Sequence, residues 1–351
     1  MNVTEEQVRA ALGSVKYPGF SRDIVSFGLV KEVAAEEGRV RVQLVLTTND
    51  PAIPRTIKAA AEKVLQRLPG VNEAKVLIDI HAPPTGASGN SGVGPTRIPG
   101  INHVIAIASG KGGVGKSTVA ANLAVGLHQA GARVGLCDCD IYGPSISLMF
   151  GAREQPMATD DNRIIPIEQY GLRLMSMGFL LDDASPAILR GPMVTRYTQQ
   201  FLRQVEWGEL DVLVLDLPPG TGDIQLTIVQ TVALAGAIIV TTPQEVALID
   251  ARKAATMFAK VNVSVLGLIE NMSYFVSPSD GVRYEIFGSG GGEREARRLR
   301  VPLLGQIPID IATRESGDRG RPITAEEPQG AVGAEFNRIA RGLWQTLGQR
   351  N

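Results

Sequence analysis

Between an apolar run at residues 104–108 and a helix-patterned stretch at 117–130 stands Gly110-Lys111-Gly112-Gly113-Val114-Gly115-Lys116-Ser117. This G-x-x-x-x-G-K-S spacing constrains the chain more than any other feature, because it has a physical use only where a strand turns into a helix. Glycines let the backbone curl without Cβ clashes. The N–H groups bared by the curl make a nest for an anion, and the positive end of the following helix points at the same place. The segment reads as a cradle for a polyphosphate. Lys116 is placed to reach the β and γ phosphates, Ser117 to ligate Mg²⁺, and Thr118 to assist beside the α-phosphate.

Two further segments extend this reading. Val212-Leu213-Val214-Leu215-Asp216-Leu217-Pro218-Pro219-Gly220 is an apolar strand that ends in a carboxylate. At the carboxyl edge of a sheet, Asp216 would face the water shell of the same Mg²⁺. Gly220 offers an N–H to the γ-phosphate, and Thr221, Gly222 and Asp223 continue a switch loop. Asp138-Cys139-Asp140 closes the strand after the cradle's helix, and its carboxylates suit an attacking water and a second-shell metal ligand.

From residue 103 onward strands alternate with helices. Residues 104–108, 134–139, 212–217, 237–241, 263–269 and 301–307 are apolar on both faces, as a parallel sheet covered on both sides requires. The expected fold is α/β: a doubly wound, mostly parallel P-loop domain over 101–351. Residues 1–81 read differently, as a small α+β domain. A helix spans 5–13 with Thr4 as N-cap, strands cover 24–33 and 40–46, a helix opens at Pro54 and runs to 68, and a strand covers 76–80. Residues 82–100, rich in Gly, Pro and Ser, read as a linker or an ordered surface loop.

The net charge of -1 supplies no basic field for nucleic acid or an anionic membrane. No apolar run is long enough to span a bilayer, and the first residues lack the order of a secretory signal, so the expected location is the cytoplasm. Both cysteines of the chain, Cys137 and Cys139, sit on one strand. They read either as packing or as half of a metal site completed by a second subunit. His81, His103 and His128 have no ligand spacing. Glu293, Arg294, Glu295, Arg297, Arg298 and Arg300 read as a solvated helix face, and Gly288, Gly290, Gly291 and Gly292 as a mobile loop.

The cradle, with a second lysine at Lys111, resembles the deviant Walker A loop of the MinD, ParA and nitrogenase iron protein class. More of the chain resembles the Mrp/ApbC iron–sulfur cluster carriers. The matching segments are Asp138-Cys139-Asp140-Ile141-Tyr142-Gly143-Pro144-Ser145, Arg190-Gly191-Pro192-Met193, Asp216 to Asp223, Thr242-Pro243-Gln244 and Glu270-Asn271-Met272-Ser273. The small first domain resembles one often fused to such carriers. The resemblance implies a homodimer with ATP and Mg²⁺ at its interface, slow hydrolysis, and delivery of clusters to apoproteins. It implies that Lys111 reaches the partner's nucleotide, Asp140 sits at the attacking water, Asp138 lies near Mg²⁺, and Asn271 bonds the adenine. A [4Fe-4S] cluster at the dimer interface is also implied.

The family usually carries Cys-x-x-Cys after the Asn-Met-Ser stretch. Here Tyr274-Phe275-Val276-Ser277-Pro278-Ser279-Asp280 stands there, with serines in place of thiolates. The loop Thr47-Thr48-Asn49-Asp50-Pro51-Ala52-Ile53-Pro54 likewise lacks a cysteine. Three readings stay open: a carrier with other ligands, an adaptor in cluster assembly whose partner supplies thiolates, and an ATP-dependent dimerisation switch that holds no cluster.

Overall fold

The computed structural model describes residues 3–18, 23–26, 28–36, 38–47, 52–81, 95–159, 161, 163–180 and 200–349. The chain divides into two compact units, one of residues 1–92, 157–164 and 180–189 and the other of 93–156, 165–179 and 190–351. The expected Arg190-Gly191-Pro192-Met193 segment and residues 82–94 of the linker lie outside the described residues.

In the first unit, helix α1 (Glu5–Leu12) begins with a capping box. The Thr4 hydroxyl accepts from Gln7 N–H, and the Gln7 side chain accepts from Thr4 N–H. Strand β1 (Val30–Glu36) starts later than the expected residue 24. Asp23 Oδ1 accepts from the N–H groups of Val25 and Ser26, which curls residues 23–26 into a turn before pairing begins. β1 pairs antiparallel with β2 (Arg39–Thr47), and β2 pairs parallel with β3 (Glu73–His81). Helix α2 (Ala52–Leu65) carries Pro54 in its first turn, where a missing N–H breaks no helical bond. Val8, Leu12, Val42, Leu44, Ile57 and Leu65 form the core.

The second unit is built on an eight-stranded sheet. Its strands are β4 (Ile101–Ala108), β5 (Val134–Asp138), β6 (Ile167–Gln169), β7 (Leu172–Met175), β8 (Leu210–Asp216), β9 (Gly236–Thr241), β10 (Val265–Glu270) and β13 (Leu303–Gln306). The spatial order is β13-β10-β9-β4-β8-β5-β7-β6, and every pair is parallel except β6 with β7. The order reverses direction about β4, so the loops after β4, β5 and β8 meet at a switch point of the sheet. The β6–β7 hairpin escapes the sequence reading. Its two-residue turn places Tyr170 at φ 50° and Gly171 at φ 74°, the primed geometry that suits tight hairpins.

Residues 95–100 belong to the second unit rather than to a free tether. Thr96 N–H donates to Thr231 O, and Ala233 N–H donates to Thr96 O. Helix α3 (Lys116–Gln129) is buried nearly all round, and α10 (Ala331–Gly348) packs closely on it. A Cβ on Gly126 would lie 2.9 Å from that of Ala340. The remaining elements are α4 (Ile146–Met149), α5 (Asp223–Thr231), α6 (Glu245–Lys260), β11 (Phe275–Val276), β12 (Arg283–Tyr284), α7 (Gly291–Leu299), α8 (Ile311–Asp318) and α9 (Ile323–Glu326).

Two expectations about residues 288–300 do not hold. Gly291 and Gly292 are not loop; they open α7 and are buried, with Gly292 N–H donating to Glu270 Oε2 at 2.5 Å. Glu295 is not solvated: it is buried and takes the Arg252 guanidinium at 2.8 Å. Burial of a carboxylate on a charged helix is tolerated only with such a partner.

Candidate nucleotide site

β4 ends at Ala108, α3 begins at Lys116, and the loop between them has two glycines where a side chain would collide with a neighbouring element. Gly115 is at φ 78°, and a Cβ there would lie 2.1 Å from Asn271 Nδ2. A Cβ on Gly110 would lie 2.1 Å from the backbone of Asp250 in α6. The loop is thus clamped between two elements. Gly112 and Gly113 are exposed, Val114 is buried beneath them, and Lys111, Ser117 and Thr118 are half-buried.

Lys116 and Asp216 meet at the centre. Lys116 Nζ lies 2.5 Å from Asp216 Oδ1 and 3.3 Å from Ser117 Oγ, with the two charged side chains 6% and 0% exposed. Asp216 Oδ2 is buried with no partner. Burial raises the Asp216 pKa, and the Lys116 charge opposes the rise. Asp138, in register with Asp216 across β5 and β8, is pushed up to about 7 by burial and then by the Asp216 charge.

Asp138 is engaged by its own loop. Its Oδ1 accepts from Asp140 N–H, and its Oδ2 accepts from the N–H groups of Ser145 and Ile146 and from the Ser176 hydroxyl. It organises the turn that carries Asp140, which is half-buried and whose charge is felt at Asp216. Asn271 Nδ2 donates to Val114 O at 2.8 Å, so this side chain props the phosphate loop from below. Gly220 N–H donates to Ser109 O at 3.0 Å. The structure therefore brings Gly110 to Thr118, Asp138, Asp140, Asp216 and Asn271 together around one loop.

Sequence reasoning missed Gln225. Its Nε2 donates to Pro218 O at 2.8 Å, which ties the switch loop to α5, and its Oε1 is buried without a partner. The signal was available: Gln225 is the third residue of the helix after Pro218-Pro219-Gly220, where a side chain reaches back over the preceding loop. Glu270 was also missed as a hub. It accepts from Ser273 Oγ and Gln306 Nε2 as well as from Gly292.

A family model described as the NUBPL iron-transfer P-loop NTPase matches residues 100–344. The chain belongs to that family. A second model, described as an iron–sulfur cluster assembly protein, matches residues 5–78. The chain is 44% identical to the iron–sulfur cluster carrier protein of Synechocystis sp., over 97% of each chain. It is 40% identical to a nucleotide-binding protein of Archaeoglobus fulgidus solved with ADP, covering 64% of this chain and 89% of that one at a TM-score of 0.57. The septum site-determining protein MinD of Pyrococcus horikoshii, 23% identical, shares the fold over 71% of this chain and 98% of its own at a TM-score of 0.55.

Neither cysteine of this chain is open to solvent. Cys137 and Cys139 are 0% and 1% exposed, with their Sγ atoms 3.9 Å apart. The hydrogen bond to Cys137 and burial raise the Cys139 thiol well above its usual range. A thiol so held packs as a small apolar group and is a poor metal ligand. Ser277, half-buried, and Ser279, exposed, occupy the turn between β11 and β12, with their hydroxyls 2.9 Å apart. Among the described residues no helix is long and apolar enough to cross a membrane.

Proposed function

We propose that this chain is a slow ATPase that works as an ATP-dependent homodimer in iron–sulfur cluster delivery to apoproteins. The observation that carries the reading is the convergence of Lys116, Ser117 and Asp216 at the mouth of the glycine loop, with Asp216 Oδ2 left unsatisfied. Lys116 is the group that receives the β and γ phosphates, its place on Asp216 being a resting position. The loop from Gly110 to Thr118 supplies the N–H groups around the phosphates. Asn271, with Nδ2 committed to Val114, has Oδ1 to offer an adenine amino group.

The donors fit Mg²⁺. The Ser117 hydroxyl and the Asp216 carboxylate are hard oxygen ligands, and an orphaned buried carboxylate oxygen is what a cation or its bound water would satisfy. Asp138 would join through water. When bound, Mg²⁺ neutralises charge that develops on the transferring phosphoryl group. This chain's own residues do the rest. Asp140 orients the attacking water, Gly220 N–H exchanges Ser109 O for a γ-phosphate oxygen, and Lys111 reaches the second subunit's nucleotide. The soluble location expected from the sequence is the cytoplasm.

The test is titration of a fluorescent ATP analogue, with phosphate release and molecular mass measured with and without Mg²⁺. Mg²⁺-dependent binding, ATP-dependent dimer mass and slow turnover are expected. Absence of binding by the folded protein would overturn the reading. A second reading, a dimerisation switch that never holds a cluster, is favoured by the burial of Cys137 and Cys139.

A further inference from the structure

The chain has two cysteines and three histidines, and each lies on or beside a strand or helix of the fold. Cys137 is buried within β5 and Cys139 just past its end, and neither reaches a surface. His103 is 8% exposed inside β4. His128 is wedged on α3: a Cβ on Gly171 would lie 2.2 Å from its Nε2, and its Nδ1 lies 3.4 Å from Ala132 O. His81 ends β3, in the other unit. The described residues hold no group of three or more His, Cys, Asp or Glu side chains able to hold a metal.

Iron–sulfur clusters are held by thiolates, with imidazole as an occasional substitute. The serines at the β11–β12 turn cannot replace them, because a hydroxyl keeps its proton at neutral pH and these two are bonded to each other. We infer that this chain contributes no thiolate to the cluster it handles, and that the ligands are paired thiolates brought by another molecule, either a small thiol or a cysteine-bearing protein. The inference rests on the carrier reading. It makes this protein an ATP-gated platform for a cluster ligated from outside. Transfer is then ligand exchange between thiolates: each incoming thiol gives up its proton and binds an iron site, and the thiolate it displaces leaves and takes up a proton from solvent.

The full-length protein is incubated anaerobically with equal amounts of ferrous and ferric iron and with sulfide, then desalted. One arm contains no thiol, a second glutathione, and a third a peptide bearing Cys-x-x-Cys. Iron, sulfide and visible charge-transfer absorbance are measured per chain. Loss of iron and colour in the first arm is expected, with stoichiometric retention in the second or third; whichever retains identifies the thiol source. Cys137→Ala with Cys139→Ala should retain as wild type does. A stoichiometric cluster on the wild-type chain without added thiol would overturn the inference and leave the carrier reading standing. No retention in any arm, with no acceleration of cluster transfer to an apoprotein, would remove the carrier reading and this inference with it.

Discussion

Lys116 Nζ and Asp216 Oδ1 lie 2.5 Å apart in a site where neither side chain is more than 6% exposed. The pair joins the phosphate loop to the strand edge that would serve the metal. Each partner keeps the other from being a lone buried charge.

Lys116→Ala therefore has two separable effects. It should abolish ATP binding, and it should destabilise the second unit by about 3–5 kcal/mol, because Asp216 is left uncompensated. Adding Asp216→Asn should restore much of the stability and none of the binding. Urea unfolding and nucleotide titration of the single and double variants check both. Equal stability of the two variants would show that the pair is not coupled.

Lys111 behaves differently. Among the described residues no carboxylate pairs with it. Lys111→Ala should leave the affinity for one nucleotide near wild type while abolishing turnover that depends on protein concentration. Phosphate release measured across a dilution series decides this, and unchanged turnover would exclude a cross-subunit role.

The loop glycines should separate by what surrounds them. Gly113 is at φ 83° with nothing within 4 Å of a Cβ, so Gly113→Ala should cost only about 1–2 kcal/mol of backbone strain. Gly115→Ala carries the same strain and also collides with Asn271, so the Asn271–Val114 hydrogen bond must break. Gly115→Ala should weaken ATP binding at least tenfold more than Gly113→Ala, read by titration calorimetry.

Gln225 positions the switch loop through Pro218 O. Gln225→Ala should lower kcat about tenfold, the worth of one buried hydrogen bond, while ADP affinity stays unchanged. A parallel loss of ADP affinity would show that the residue supports the whole fold rather than the switch loop.

Acid stability reports on Asp211. The Arg133 guanidinium hydrogen-bonds its carboxylate and holds its pKa at about 2, below the unfolded value near 3.9. Because the folded pKa is depressed, the stabilisation is fully present above about pH 4 and is lost as pH falls toward 2. The stability difference between wild type and Asp211→Asn should shrink over that window. A difference constant with pH would show that the Arg133 pairing is lost to solvent.

The strand-loop-helix junction, the carboxylate at the end of β8, the order of elements in the first unit and the alternation of strand and helix in the second were legible in sequence, because each is local. Glycine spacing, apolar runs and capping residues act over a few neighbours, as the Thr4–Gln7 box does. What separated residues do for one another was not legible. That Asn271 supports Val114, that Glu295 is buried on Arg252, that Asp138 spends its oxygens on its own loop, and that Cys137 and Cys139 are enclosed depend on chain segments far apart in sequence. The sequence determined where a triphosphate can be gripped, since main-chain amides and one lysine suffice. Only the tertiary structure decided which side chains remain within reach of a ligand, since burial is a property of the packed sheet and its covering helices.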